Sequence, residues 1–319
     1  MRFFRGIHSQ FHFIESTLIE GARMPFAPPS NRFRAFRLPI VLFCVLVFAA
    51  PYLCCAEDAE DGSPLPFFVF DNGLNGIQDP PRVLKELGYQ GVGVRALNIG
   101  GLIQSYEQAG LKVFSTYVGC RLDQTPPYDP AFKEQIAALK GSDVILWLTV
   151  LGGKRGQEDA KAAGIVREIA DMAAAAQLRI ALYPHTGFYV ATTADALRLA
   201  KLVDRPNVGV SLNLCHELMT DQGPQLDATI REALPQLLLV SINGADDKQP
   251  GYSWDRLIQP LGRGNYDVCG FLQKLQAAGY RGPVGLQCYA VKGDPLENLK
   301  QSIRTWKEYR ERLDKSPSE

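Results

Sequence analysis

Eight short apolar runs recur along the chain, each followed by a loop and an amphipathic stretch. They are FFVF (67–70), GVGV (91–94), KVFSTYV (112–118), VILWLTV (144–150), RIAL (179–182), VGVSL (208–212), LLLVSI (237–242) and PVGLQCY (283–289). Rich in Val, Ile, Leu and aromatics and only a few residues long, they suit strands buried on both faces, the condition of parallel sheets. Helical stretches are expected between them over 80–87, 99–109, 130–139, 158–176, 194–202, 226–233, 266–278 and 295–313. In the last, Leu299, Ile303 and Trp306 share one face. Gly88, Gly110 and Gly279 follow three of these stretches where a left-handed closing residue is wanted. Eight strand–helix units over about 250 residues match one (β/α)8 barrel in number and length. A doubly wound open sheet is the alternative. It needs a Gly-rich phosphate turn after the first strand, and Asp71-Asn72-Gly73 is not one. The expectation is therefore an α/β chain with a single TIM barrel over 67–313, a linker over 57–66 and a tail over 314–319.

Ahead of the barrel, Arg32, Arg34 and Arg37 precede the apolar run LPIVLFCVLVFAAPYLCCA, and acidic sequence begins at Glu57. Basic, apolar, then small is the order of a secretory signal peptide, with cleavage expected after Ala56. Tyr52 and Leu53 are too large for a lipid-attachment signal at Cys54 or Cys55. Residues 1–23 do not fit the short basic region, whereas a start at Met24 does. The leader thus covers 1–56, and the mature protein is expected in the periplasm or outside the cell, without stable membrane insertion. An uncleaved anchor is the alternative, since the run is near the minimum spanning length. Formal net charge is zero and no basic block lies in the body, which argues against nucleic acid as partner. Cys120, Cys215, Cys269 and Cys288 lie beyond the leader without CxxC or metal spacing and read as free thiols. Export would permit a disulfide.

The stretch 178–216, LRIALYPHTGFYVATTADALRLAKLVDRPNVGVSLNLCH, reads as strand, loop, helix, strand, with Thr193 as the expected N-cap. Its first strand delivers Tyr183 and His185, and its second delivers Asn213 and His216. A helical crossover puts the C-terminal ends of two parallel strands on one face, so the two His-bearing loops should meet. The chain has only four His. The barrel mouth also receives Asp71, Asn72, Arg95, Tyr117, Trp147, Thr149, Ser241, Asn243 and Gln287 from other strand ends. Tyr117, Trp147 and Phe188 read either as sugar-stacking faces or as barrel plug. Arg263 between Gly262 and Gly264 reads as an anion-binding turn, and Lys154 and Arg155 as anion holders or a solvated loop. Trp254 lies in a long loop over 244–264, a length usual for functional loops.

The segments YPHTGF, VDRPNVGVSLNLCH, LGRGNYD and AGYRGPVGLQCYAVKGDPLENLKQSI, in this order over about 65–312, make the chain resemble the xylose isomerase-like TIM-barrel family of sugar (phosphate) isomerases and epimerases, akin to the apurinic endonuclease barrels. The resemblance implies a metal held by a Glu on strand 5, an Asp of D-x-x-H on strand 6, a His on strand 7 and a Glu on strand 8, with both Glu also moving protons. This sequence carries Tyr183, Asn213, Ser241 and Gln287 there, and only His216 keeps the His of D-x-x-H. A hard divalent cation wants anionic oxygens and enolisation needs a titratable base, so no Mn, Mg or Zn site of the family type is expected. His185 and His216 with Glu217 or Asp246 could hold a softer metal; equally, one His serves as base with Tyr183 as acid, or both hydrogen-bond a sugar. The resulting expectation is an exported sugar isomerase/epimerase-like protein acting on a small carbohydrate or derivative. His185, His216 and Tyr183 are its candidate catalytic groups, and Asn213, Gln287, Tyr117, Trp147, Asn243 and Arg263 its candidate binding groups. The alternatives are a carbohydrate-binding pseudoenzyme and a lyase or hydrolase of oxidised sugars. Nuclease action is disfavoured because metal-binding residues are sparse.

Overall fold

The computed structural model describes residues 65–247 and 253–315. The expected signal peptide, the Met24 start and most of the linker lie outside them. Eight parallel strands close a barrel in sequence order: β1 (Phe67–Phe70), β2 (Gly91–Val94), β3 (Lys112–Arg121), β4 (Ile145–Leu151), β5 (Ile180–Leu182), β6 (Val208–Asn213), β7 (Leu237–Ile242) and β8 (Val284–Leu286). Closure is made by β1 on β8, with Phe67 opposite Val284 and Val69 opposite Leu286. The outer layer comprises α1 (Pro80–Leu87), α2 (Gly100–Gln108), α3 (Phe132–Ala137), α4 (Asp159–Ala175), α5 (Thr193–Val203), α6 (Leu214–Met219), α7 (Leu226–Ala233), α8 (Trp254–Leu257), α9 (Val268–Ala277) and α10 (Pro295–Asp314). Among the described residues, no helix is long and apolar enough to cross a membrane.

The strands fall on the eight apolar runs. The helices differ from expectation at two short elements, α6 and α8, each too brief to leave a periodic signature. The N-cap of α5 is Thr192 rather than Thr193. Thr192 accepts from the Asp195 amide while the Asp195 carboxylate accepts from the Thr192 amide, a reciprocal box that needs the acid three residues after the cap. Thr193 becomes the first helical residue, and its amide is free to bond elsewhere.

Two apolar layers follow from the topology. Strand residues facing outward pack under the helices in one large core. Those facing inward form a second, largely aromatic cluster of Phe68, Phe70, Ile145, Trp147, Ala181, Tyr183 and Leu239. Glycines on β2 and β8 yield space to it. A Cβ on Gly285 would stand 2.6 Å from the Phe68 and Phe70 rings, and one on Gly93 2.7 Å from Phe70. Trp147 is sandwiched between Phe70 (centroids 4.5 Å apart, planes at 7°) and Tyr183 (3.8 Å, 3°). Its indole N–H donates to Ser211 Oγ at 2.8 Å, which satisfies the indole's buried nitrogen. This row of three rings crosses the barrel from β1 to β5 and floors the mouth. The four described cysteines are free thiols, three of them buried.

Candidate active site

Backbone geometry brings the two histidines together. After β5 the chain passes through Tyr183, Pro184 and His185. After β6 it turns at once into α6, and that single short helix carries His216 back toward β5. The two imidazole centroids stand 4.2 Å apart. His216 Nε2 lies 3.2 Å from Tyr183 Oη, while the Thr186 amide N–H and hydroxyl each lie 3.3 Å from His216 Nδ1. A backbone amide only donates, so Nδ1 is the acceptor and the neutral ring carries its proton on Nε2, which donates to Tyr183 Oη. His185 is set the opposite way. Its Nδ1 faces the Thr186 carbonyl at 2.9 Å, and a carbonyl only accepts, so the proton sits on Nδ1. His185 Nε2 is left as a lone pair with no hydrogen bond among the described residues. One residue, Thr186, therefore fixes both tautomers through its peptide groups.

Surroundings set the charge states. Burial pulls the His185 imidazole below its ordinary 6.5 and His216 well below it, with His185 adding to the effect on His216. Burial also pushes the Tyr183 phenol well above 10. Both histidines are thus neutral and the tyrosine protonated near neutral pH. Phe188 stacks on His185 (4.0 Å, 15°), and Trp254 of α8 meets His216 edge-on at 5.3 Å. Asn243 holds α8 in place by donating to the Leu257 and Gly244 carbonyls, and Arg256 pairs with Asp246 at 3.0 Å.

The four positions that the resemblance assigns to metal ligands do not fit a divalent cation. Asn213 is buried, with Nδ2 on the Pro184 carbonyl (2.9 Å) and Oδ1 accepting from Ser241 Oγ (3.0 Å). Gln287 Oε1 accepts from Asn72 Nδ2 (2.7 Å) and from the Cys288 and Tyr289 amides (3.0 Å each). Tyr183 is engaged by His216. No anionic oxygen stands among the four. The softer set is not assembled either: Glu217 Oε1 accepts from the Thr193 amide and hydroxyl at 2.7 Å, and Asp246 faces Arg256. Among the described residues no three His, Cys, Asp or Glu side chains gather.

The remaining candidates divide. Tyr117 lies edge-on to Tyr183 at 5.6 Å. Trp147 has a ring against each face, so no face is left for a sugar. Asn213 sits beneath Pro184 as a strut between β5, β6 and β7. Asn243 and Gln287 stand at the ends of β7 and β8, where Gln287 N–H donates to the Ile242 carbonyl at 2.8 Å. Arg263 is exposed and donates to Gln301 of α10, away from the histidines in the outer layer. Arg155 is drawn to the Asp195 carboxylate at 2.6 Å, at the cap of α5. The sequence does not single out Thr186, because the groups that fix the two tautomers are its peptide N–H and C=O, which every non-proline residue carries.

Comparison with known proteins agrees with the architecture. The family model for the xylose isomerase-like TIM barrel matches residues 134–309. A 3-dehydroshikimate dehydratase of Pseudomonas aeruginosa is 30% identical over 154 residues, covering 47% of this chain and 24% of that protein. The chain therefore spans about a quarter of that curated relative. Among solved structures, a xylose isomerase-like TIM barrel/4-hydroxyphenylpyruvate dioxygenase fusion protein superposes with a TM-score of 0.65 at 18% identity, covering 80% of this chain and 45% of that one. The 3-keto-D-glucoside 4-epimerase of E. coli superposes with a TM-score of 0.59 at 17% identity, covering 76% and 99%. At such identities the structural likenesses speak for the fold.

Proposed function

This chain belongs to the xylose isomerase-like TIM barrel family, and from that premise we propose that it moves a proton at the carbon next to a carbonyl of a carbohydrate or carbohydrate-derived ring, using an imidazole rather than a metal-bound carboxylate. The observation that carries this reading is the unshared lone pair on His185 Nε2, on a ring kept neutral by burial. In the proposed step His185 Nε2 takes the C–H proton, the C–H electron pair moves into a C=C bond, and the carbonyl oxygen becomes an enol oxygen. Tyr183 is the donor to that oxygen: its own oxygen already accepts from His216, which leaves its proton to give. Delivery of a proton from water to the opposite face gives epimerisation, return from His185 to the neighbouring carbon gives isomerisation, and loss of a hydroxyl one carbon further, leaving as water with the proton His185 holds, gives dehydration. A relative named as a dehydratase and a neighbour named as a keto-sugar epimerase support this range.

The test uses chelator-dialysed protein in D2O with 3-dehydroshikimate and with a 3-keto-glucoside, read by NMR. Deuterium is expected at the carbon beside the ketone with wild type and not with His185→Ala. Exchange that requires added Mn²⁺ or Mg²⁺, or that survives in His185→Ala, overturns the assignment. Sugar binding with no exchange from either ketone supports the binding-only alternative. Export is part of the same proposal, with cleavage after Ala56, and mature protein that still contains the 24–56 peptides would refute it.

A further inference from the structure

The opposite side of the mouth carries amides whose orientation the protein fixes while leaving one end of each unused. Gln287 Oε1 receives two backbone amides, so it is the oxygen and not the nitrogen that faces them. Asn72, reaching the same oxygen at 2.7 Å, must then present its Nδ2. Two consequences follow. Gln287 Nε2 turns away with both N–H groups unpaired among the described residues. Asn72 Oδ1 is left buried with no hydrogen-bond partner. On the next strand Asn243 repeats the pattern: it is wholly buried, its Nδ2 is committed to carbonyls, and its Oδ1 is a second buried acceptor without a partner.

These groups are neighbours. β8 pairs with β1 on one side and β7 on the other, and the Gln287 amide is bonded to Ile242, the residue before Asn243. Gly285 faces the barrel interior against Phe68 and Phe70, and Gln287, two residues on, shares that face just above the aromatic floor. Across β7, β8 and β1 the rim therefore offers acceptor, donor pair, acceptor. An unpaired buried acceptor is unfavourable until something donates to it. Sugar hydroxyls donate and accept, which matches all three. Phosphate and carboxylate oxygens only accept at neutral pH, so they meet the two carbonyl oxygens with repulsion. Arg95, a cation on this rim, is already paired with Asp71 at 2.7 Å.

We propose that Asn72, Gln287 and Asn243 form a hydroxyl-reading subsite that takes the uncharged polyol part of the ligand, Asn72 and Asn243 accepting from hydroxyls and Gln287 donating to an oxygen between them. This rests on the mouth being the substrate site, and it commits that part of the substrate to be neither phosphorylated nor oxidised to an acid. The test is saturation-transfer NMR with D-xylose, D-fructose, myo-inositol and the anion D-xylonate. Binding of at least one neutral polyol and not of xylonate is expected. Asn72→Leu should weaken that binding by roughly ten- to a hundred-fold while the melting temperature holds, because the substitution removes an unpaired acceptor and Gln287 Oε1 keeps two other donors. A purely structural Asn72 would instead lower the melting temperature and leave binding alone. Asn72→Ala carries the same comparison if the leucine does not fold. No binding by any neutral probe, equal binding by xylonate, or unchanged binding in both variants overturns the subsite. Deuterium exchange in these variants separates the two readings: persisting exchange with unchanged polyol binding sinks the subsite alone, and His185→Ala that binds polyol without exchange leaves the subsite standing.

Discussion

Asn213 and Asn72 stand at the mouths of β6 and β1, and as letters in a sequence they are the same residue in the same place. Their environments differ. Asn213 has each end of its amide taken by protein, Pro184 on one side and Ser241 on the other. Asn72 has only its nitrogen engaged. The contrast extends to the rims they belong to. On the β5–β6 rim the polar atoms are knitted together, and the exception, His185 Nε2, is a titratable lone pair. On the β7–β8–β1 rim the unused atoms are amide oxygens and an amide NH2. A buried polar atom that is satisfied positions its neighbours; one that is not leaves a hydrogen bond for a water or a ligand group to make. Our proposal accordingly gives the chemistry to the first rim and the recognition to the second.

The sharpest way to break this contrast is to remove the lone pair. His185→Ala should lower turnover by about 10²–10⁴ with polyol affinity nearly intact, checked by separate rate and binding measurements. An equal loss in both would erase the division between the rims. Next comes the strut. Asn213→Leu strands the Pro184 carbonyl and the Ser241 hydroxyl, at about 1–3 kcal/mol for each group left unpaired. Chemical denaturation should show it, whereas Asn72→Leu should show little. Gly285→Ala attacks the shared floor. Its Cβ lands 2.6 Å from Phe68 and Phe70, and overpacking of that kind costs about 1–3 kcal/mol. Because Phe70 stacks on Trp147 and Trp147 on Tyr183, activity should fall along with stability.

The smallest effect is expected from pH. Both imidazoles are held below 6.5 in the folded protein, chiefly by burial, while the unfolded chain takes up protons near that value. The unfolded state then binds more protons as pH falls, so the stability associated with the neutral pair is fully present above 6.5 and is lost progressively below it. Melting temperature should decline from pH 7.5 to 5, and His216→Gln should flatten part of that decline. A slope unchanged by the substitution would show that other groups set the acid limit.

Eight apolar runs, the spacing between them and the Gly that ends α1 and α9 determined the barrel, because short strands buried on both faces have few other ways to satisfy their backbones. The Thr192–Asp195 cap was also readable, since its spacing is local, although the adjacent Thr193 drew the expectation one residue late. The approach of His185 to His216 was readable as topology. What side chains do at the mouth was not. Trp147 loses both faces to rings from β1 and β5, Arg263 turns to α10, and α6 swings His216 over β5. Each of these depends on neighbours far away in the chain. The tautomers depend on the peptide groups of one threonine, and which amide is satisfied depends on partners 28 residues away for Asn213 and 215 for Asn72. Periodicity and local spacing are written in consecutive residues; hydrogen-bond satisfaction is a property of the closed barrel, and only tertiary structure decides it.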